Sequence, residues 1–149
     1  MHVYTRLNND RLFSALHEAM QRHHAGATTS EDRALAAETL QQYANLRMDS
    51  DVTRCKLYAL LLPAYTILGD KEACSRMVGV IQGLLLAVKA EQSRALLLVT
   101  LYGCTDNCIY HDQAHGIVDG WRTEERPKKI KAQLIRRLDD YDEWLGHHR

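Results

Sequence analysis

The chain has 149 residues, of which 46% are hydrophobic and 26% are charged, a composition typical of one globular domain spanning residues 1–149. A domain of this size buries enough apolar surface to fold without a disulfide or a structural metal. Two prolines and eight glycines are too few for a multi-stranded β protein, which needs frequent turns. Nineteen basic and nineteen acidic side chains cancel, so no overall field draws the protein toward nucleic acid or an anionic membrane.

The sequence predicts a cytoplasmic protein without a membrane span. Positions 1–6 become polar within a few residues, unlike a signal peptide. The longest apolar runs, 84–88 and 95–101, are far shorter than the roughly 20 residues that cross a bilayer. The cysteines do not follow the spacing of a secreted disulfide scaffold, which favours a reducing compartment. They are Cys55, Cys74, Cys104 and Cys108.

Apolar residues at helical spacing predict about seven helices. We expect helix 1 over about 9–24, with Gly26 just beyond its end. Helix 2 is expected to open with a capping box between Thr28 and Glu31 and to stop near Met48.

Helix 3 is expected over about 50–68, with a kink at Pro63 because proline removes a backbone donor. Gly69 is predicted to end it, and Asp70 to cap helix 4 over 71–89.

Helix 4 has apolar side chains around almost its whole circumference, which predicts that it is buried. Its narrow polar stripe consists of Ser75, Gln82 and Lys89. A row of small residues predicts close packing against a neighbouring helix of the same chain, with a dimer contact or a ligand groove as alternatives. The row consists of Gly79, Gly83 and Ala87.

Helix 5 is expected over about 92–102, ended by Gly103, and helix 6 over about 105–120. Helix 7 is expected over about 127–145, beginning at a proline suited to the first helical position. Helices 1, 3 and 5 begin about 41 residues apart, which favours stacked antiparallel hairpins closed by helix 7. The sequence therefore predicts an all-α fold, either such a solenoid-like stack or an irregular helical bundle.

Residues 55–80 carry the pattern of a helical hairpin, in which two helices are joined by a tight turn. Its members are Tyr58, Leu61, Ala64, Tyr65, Leu68, Gly69, Asp70 and Ala73. This order resembles the junction of a tetratricopeptide repeat, in which an Ala-Tyr pair precedes a Gly-Asp turn and a second helix with a small residue at its start. The chain departs from that pattern at Leu62 and Pro63 and lacks one residue before the small position. The resemblance implies a peptide- or protein-binding adaptor or chaperone without catalytic residues.

The run of Cys104, Cys108, His111 and His115 predicts one helical face that carries thiols and imidazoles. Both groups are good zinc ligands. One straight helix spanning eleven residues, about 16 Å, cannot place all four on one ion. At most His111 with His115, or Cys108 with His111, can bind one zinc ion, and another segment must supply the remaining ligands. The alternatives are small core residues with boundary histidines, and a thiol redox role for the two cysteines, which helix geometry disfavours.

Basic residues concentrate in the segment 122–137, with seven basic against two acidic side chains. This segment predicts either a solvated helix face or a docking surface for a partner protein or a second copy of the chain. Nucleic acid, held through phosphate contacts along helix 7, is a further alternative. The basic residues assigned to partner binding are Arg126, Lys128, Lys129 and Lys131.

No phosphate-binding glycine loop, nucleophile elbow, H-E-x-x-H pair or di-iron carboxylate pattern occurs in the sequence. The leading hypothesis is therefore a non-enzymatic protein-interaction module, adaptor or chaperone-like, whose partner contacts a grooved face lined by Tyr58 and Tyr65 of helix 3. A metal-binding helical protein and a nucleic-acid binder are the alternatives. No cofactor is expected unless zinc is bound.

Overall fold

The computed structural model describes residues 10–121 and 128–147. Within those ranges the chain forms seven α-helices and no β-strand, which confirms the all-α prediction. The helices are α1 Asp10–His24, α2 Ser30–Tyr43, α3 Asp51–Leu68, α4 Lys71–Ala87, α5 Glu91–Thr105, α6 Cys108–Asp119 and α7 Lys128–Trp144. None of these helices is long and apolar enough to cross a membrane.

The odd-numbered helices pack in a ring. Helix α1 packs on α3, α3 on α5, α5 on α7, and α7 returns to α1. The even-numbered helices α2, α4 and α6 each pack against their neighbours along the chain. Consecutive helices therefore form hairpins as expected, but the return of α7 to α1 closes the stack into a bundle.

Several helix ends lie where the sequence predicts them. The Ser50 side chain accepts from the Thr53 amide, 3.1 Å away, at the start of α3. Gly69 ends α3 in the left-handed conformation at φ 73°, which glycine adopts without steric cost. Asp70 then caps α4 by accepting from the Ala73 amide at 3.1 Å.

The cap of α2 lies one residue later than predicted. Thr29, not Thr28, is the N-cap, and its capping-box partner is Asp32, not Glu31. The reason is a tertiary contact, because Arg22 of α1 donates two hydrogen bonds, of 2.7 and 2.8 Å, to the carboxylate of Asp32. This buried carboxylate therefore joins α1 to the start of α2.

Acidification should weaken the fold through Asp32. The hydrogen bonds from Arg22 lower the pKa of Asp32 to about 2, against an ordinary 3.8. A depressed pKa contributes stability that is present above pH 4 and is lost as the pH falls from about 4 to about 2. We expect Asp32→Asn to lower the free energy of unfolding by about 2 kcal/mol at pH 7. The free energy of unfolding of this variant, measured with urea, should also fall less than that of wild type as the pH is lowered from about 4 to about 2. The exposed Glu38→Gln on the same helix is the control; an equal fall in both variants would contradict the prediction.

Helix α5 is the most buried helix, with side chains such as Leu97, Leu98 and Leu101 at most 1% exposed. It does not end at Gly103 but continues to Thr105, and Asp106 terminates it at φ 57°. Gly103 is required for packing instead. A Cβ built on it would lie 2.2 Å from Cζ of Tyr141.

The prediction that α4 is buried is wrong. Only its Ala73, Ile81 and Leu84 are buried, whereas Leu86 is 91% exposed. Open space surrounds Gly79 and Gly83, so the small-residue row does not pack against a helix of the described chain. The ring of odd-numbered helices explains this exposure, because α4 lies outside it and packs on α3 and α5. It also contacts α6, where Nε2 of Gln82 donates to the Tyr110 hydroxyl at 2.8 Å.

Candidate functional site

A groove of about 820 Å³ opens between α1 and α7. Side chains of α3 and α5 also line it. Its apolar side chains are Phe13 from α1, Leu96 from α5, and Ile130, Leu134 and Trp144 from α7. The volume lies in the range of pockets that hold small ligands or peptide side chains. We call this cleft the α1–α7 groove.

His17 and Asp140 join the two helices inside the α1–α7 groove. The Nε2–H of His17 donates to Oδ2 of Asp140 at 2.9 Å, and the imidazole ring contacts Trp144 with 4.7 Å between ring centroids. Burial lowers the pKa of His17, and the hydrogen bond with Asp140 opposes that shift only in part. The Nδ1 atom is buried and has no hydrogen-bond partner among the described residues. His17 therefore holds α1 against α7 as a neutral imidazole near neutral pH.

Arg137 contributes a desolvated guanidinium to the groove. Burial lowers the pKa of Arg137, and the negative charges of Asp140 and Asp10 oppose that effect. Within residues 10–121 and 128–147, Arg137 makes no side-chain hydrogen bond and no ion pair within 4 Å. Asp140 is already bound to His17. The five N–H donors of Arg137 are thus free to bind a carboxylate.

The rim of the groove carries both signs of charge. Lys129 and Arg136 of α7 line it together with Asp10, Glu18 and Glu143. Arg136 and Asp140 are four residues apart on α7 but form no ion pair within 4 Å, because Asp140 contacts His17 of α1 instead. The groove is therefore not a uniformly basic channel of the kind that tracks a phosphate backbone.

The predicted basic contacts divide into three cases. Lys129 is exposed and lines the groove. The Nζ of Lys131 donates to the Trp121 carbonyl at 3.2 Å, and so links α7 to the end of α6. Arg126 and the side chain of Lys128 lie outside the described residues.

The helix-3 tyrosines do not line the α1–α7 groove. Tyr58 and Tyr65 are half-buried and pack against the hydrophobic core. Their contact with a partner stays a prediction, and the groove lies elsewhere on the bundle.

The three considered zinc ligands point to separate partners. Cys108 Sγ lies 3.9 Å from Nε2 of His147, His111 is enclosed by carboxylates, and His115 lies 3.5 Å from Asp119. Among the described residues, no group of three or more His, Cys, Asp or Glu side chains is arranged to hold a metal ion. The continuous helix assumed for the run is also wrong, because Asp106 ends α5 after Cys104 and α6 begins at Cys108.

A buried polar cluster ties α5, α6 and α7 together. The hydroxyl of Tyr102 donates to Oδ1 of Asp142 at 2.5 Å, and Nε2 of His111 lies 3.1 Å from Oδ2 of the same carboxylate. Nδ1 of His111 lies 3.0 Å from Asp112. Tyr102 and His111 are 0% and 5% exposed, so the cluster connects helices within the protein interior.

Thiol chemistry at Cys104 is disfavoured. Burial raises the pKa of the Cys104 thiol to about 12, so the thiolate needed for nucleophilic or redox reactions is scarce at neutral pH. The four cysteines are free.

Sequence reasoning did not find the α1–α7 groove. Apolar residues recur at helical spacing along α7, at Ile130, Leu134, Leu138 and Tyr141, but nothing in the sequence shows that α7 meets α1. The useful signal is this apolar stripe, since an amphipathic helix must pack against another part of the chain.

These features define an all-helical bundle with an open groove of mixed polarity. No family model and no curated protein matches the sequence. A crystal structure of a transcription anti-terminator antagonist, UpxZ from Bacteroides uniformis, is similar to this chain with a TM-score of 0.59 and 20% sequence identity. The similarity covers 89% of this chain and 92% of that chain, and it shows a shared helical fold.

Proposed function

We propose that this protein is a non-enzymatic regulator that acts by binding another protein through the α1–α7 groove. The groove itself carries the proposal, because its apolar side chains offer burial to a partner, and Arg137, which has no ion-pair partner within 4 Å among the described residues, offers directional binding. Such a combination of apolar anchors with a few placed polar groups is typical of protein recognition sites. The absence of catalytic motifs in the sequence supports the same class.

The partner that we propose is a transcription anti-termination factor of the source organism. The support is the helical fold shared with UpxZ, described as an antagonist of such a factor, over nearly the whole of both chains. In this proposal the protein acts by occupying the factor and not by chemistry, which replaces the broader adaptor or chaperone hypothesis with inhibition by binding.

A transcription assay with purified components tests whether the protein inhibits an anti-termination factor. RNA polymerase is allowed to elongate past a terminator with the anti-termination factor present, and the purified protein is then titrated in. We expect read-through to fall to the level seen without the factor, and the two proteins to co-elute in gel filtration.

A matched pair of surface variants controls that experiment. Ser14 is exposed and lines the groove, so Ser14→Trp should block the complex, whereas Gln41→Trp on the exposed side of α2 should not. If none of the organism's anti-termination factors forms a complex at tens of micromolar and read-through is unchanged, the proposed function is wrong.

A further inference from the structure

We propose that the α1–α7 groove binds one amphipathic helix of the partner protein, with apolar side chains on the groove's apolar residues and a carboxylate on Arg137. This inference rests on the proposed function, since the occupant is a segment of a protein. It adds the chemistry of the segment that is recognised.

The dimensions of the groove fit a helix of three to four turns. Its lining extends from Asp10 to Gln21 along α1 and from Lys129 to Trp144 along α7. At 1.5 Å per residue these stretches span about 16 and about 22 Å. A helix of about 11 to 15 residues has the same length. Binding of a helix in such a groove uses apolar anchors at i, i+3 or i+4 and i+7.

The groove combines apolar side chains with exposed polar side chains. Phe13 and Trp144 face it from opposite helices, and Leu134 lies on α7 between the two ends of the lining. Ser14 and Gln133 are exposed side chains that line the same space. The lining therefore offers apolar contact area to a guest helix together with polar side chains that can accommodate it.

Charge complementarity assigns a carboxylate to the occupant. Arg137 is partly desolvated and has no hydrogen-bond or ion-pair partner in the described part of the chain, and its planar fork matches a carboxylate through two parallel hydrogen bonds. Lys129 and Arg136 line the groove on the same helix and add positive charge. An acidic side chain of the guest would restore the hydrogen bonds that burial takes from Arg137.

A nucleic acid fits this groove less well. Asp10, Glu18 and Glu143 also line it, and these carboxylates repel a continuous phosphate backbone. A guest helix can place one carboxylate at Arg137 and leave uncharged residues beside the acidic side chains. The mixed rim thus favours a peptide with a defined charge position.

The test is a selection of randomised 16-residue peptides, displayed on phage, against the purified full chain. We expect enriched peptides to combine apolar residues at helical spacing with at least one Asp or Glu. A synthetic copy of an enriched peptide, labelled with a fluorophore, is then titrated by anisotropy. Arg137→Gln should weaken its binding about tenfold or more, because a charge-assisted bidentate contact is lost, while the exposed Arg47→Gln on the loop after α2 should leave binding unchanged.

Substitutions of opposite charge at the exposed Gln133 should change binding in opposite directions without disturbing the core. Gln133→Lys should strengthen binding of the acidic peptide and Gln133→Glu should weaken it, each about threefold to tenfold in the dissociation constant. The same two substitutions at Gln41, which is exposed on α2 and does not line the groove, should have no effect. Thermal unfolding of each variant checks that the fold is intact.

Three results would overturn the inference. The first is that the enriched peptides contain no acidic residues. The second is that the selected peptide binds equally well to wild type and to Arg137→Gln. The third is that a DNA or RNA oligonucleotide displaces the peptide and that the substitutions at Gln133 leave the affinity for the peptide unchanged. The failure of the proposed function is recognised separately. If the selected peptides bind as described but no anti-termination factor does, the groove inference stands and the named partner is wrong. If the factor binds equally well to wild type, Arg137→Gln and Ser14→Trp, the named partner stands and the α1–α7 groove is not where it binds.

Discussion

Gly103→Ala should destabilise the protein by about 2 to 3 kcal/mol, although alanine is the better helix former. The added Cβ would lie 2.2 to 2.5 Å from three ring carbons of Tyr141, far inside any van der Waals contact. The ring cannot move away cheaply, because Tyr141 is 3% exposed and lies against the rings of His17 and Trp144. Overpacking costs about 1 to 3 kcal/mol and occasionally more, and three contacts this short place Gly103→Ala at or above the upper end of that range. About 2 to 3 kcal/mol of destabilisation therefore remains after the gain of up to about 1 kcal/mol in helix propensity. Urea unfolding at neutral pH measures the difference.

Gly116→Ala is the matched control for Gly103→Ala. Gly116 lies inside α6, where a Cβ would meet nothing within 4 Å, so alanine there should stabilise the protein by up to about 1 kcal/mol. The two substitutions are chemically identical and are expected to have opposite signs. Tyr141→Leu should also reduce the cost of Gly103→Ala, since it removes the clashing ring atoms. Equal stabilisation by both alanines would contradict the packing of α7 on α5.

The example of Gly103 shows how far a local signal can be taken. At Gly69 the interpretation of glycine as a helix stop is confirmed, with φ 73°. At Gly103 the same interpretation is wrong, because α5 continues and the missing side chain provides room for Tyr141, 38 positions further along the chain. A glycine that is needed for a positive φ can be recognised from its neighbours in the sequence. A glycine that leaves room for another side chain cannot, because the sequence does not identify that side chain.

Helix α4 shows the same limit for burial. Its apolar circumference predicted an internal helix, and α5, with a similar pattern, is internal. The two differ in position, because α5 belongs to the ring of odd-numbered helices and α4 packs outside it, with Val80 48% exposed. Glycine and alanine also count as apolar in such a pattern while burying little surface, so the pattern overstates the area that α4 can bury.

The candidate site was even less predictable than the fold. The sequence identified α7 as charged and amphipathic and named Lys129, which does line the groove. It could not identify Arg137 as the desolvated cation, since that depends on the approach of α1 and on the use of Asp140 by His17. The roles of Arg137 and Asp140 therefore depend on contacts between helices that are distant in the sequence, and such contacts cannot be predicted from one sequence.

Asp142→Ala should be the most damaging substitution of a polar side chain, with a loss of about 3 to 5 kcal/mol. Its carboxylate accepts the hydrogen bond of the Tyr102 hydroxyl and lies 3.1 Å from Nε2 of His111. Both of these groups are almost fully buried, so removing the carboxylate leaves them without this acceptor in a poorly solvated interior. Each buried group that loses a hydrogen-bond partner costs about 1 to 3 kcal/mol, because it keeps its desolvation penalty, and two such groups account for a loss of this size. The loss should lower the melting temperature by roughly 6 to 20 °C for a domain of this size.

The neighbouring acid Asp139 provides the control, since it is exposed on the same helix, and Asp139→Ala should change stability by less than about 0.5 kcal/mol. A double-mutant cycle with Tyr102→Phe then isolates the hydroxyl–carboxylate contact. We expect the two losses to be non-additive by about 1 to 3 kcal/mol, as for groups in one hydrogen-bond network. Additive losses would mean that Tyr102 and Asp142 stabilise the bundle independently. In that case the hydrogen bond between them would not be what holds α5 against α7.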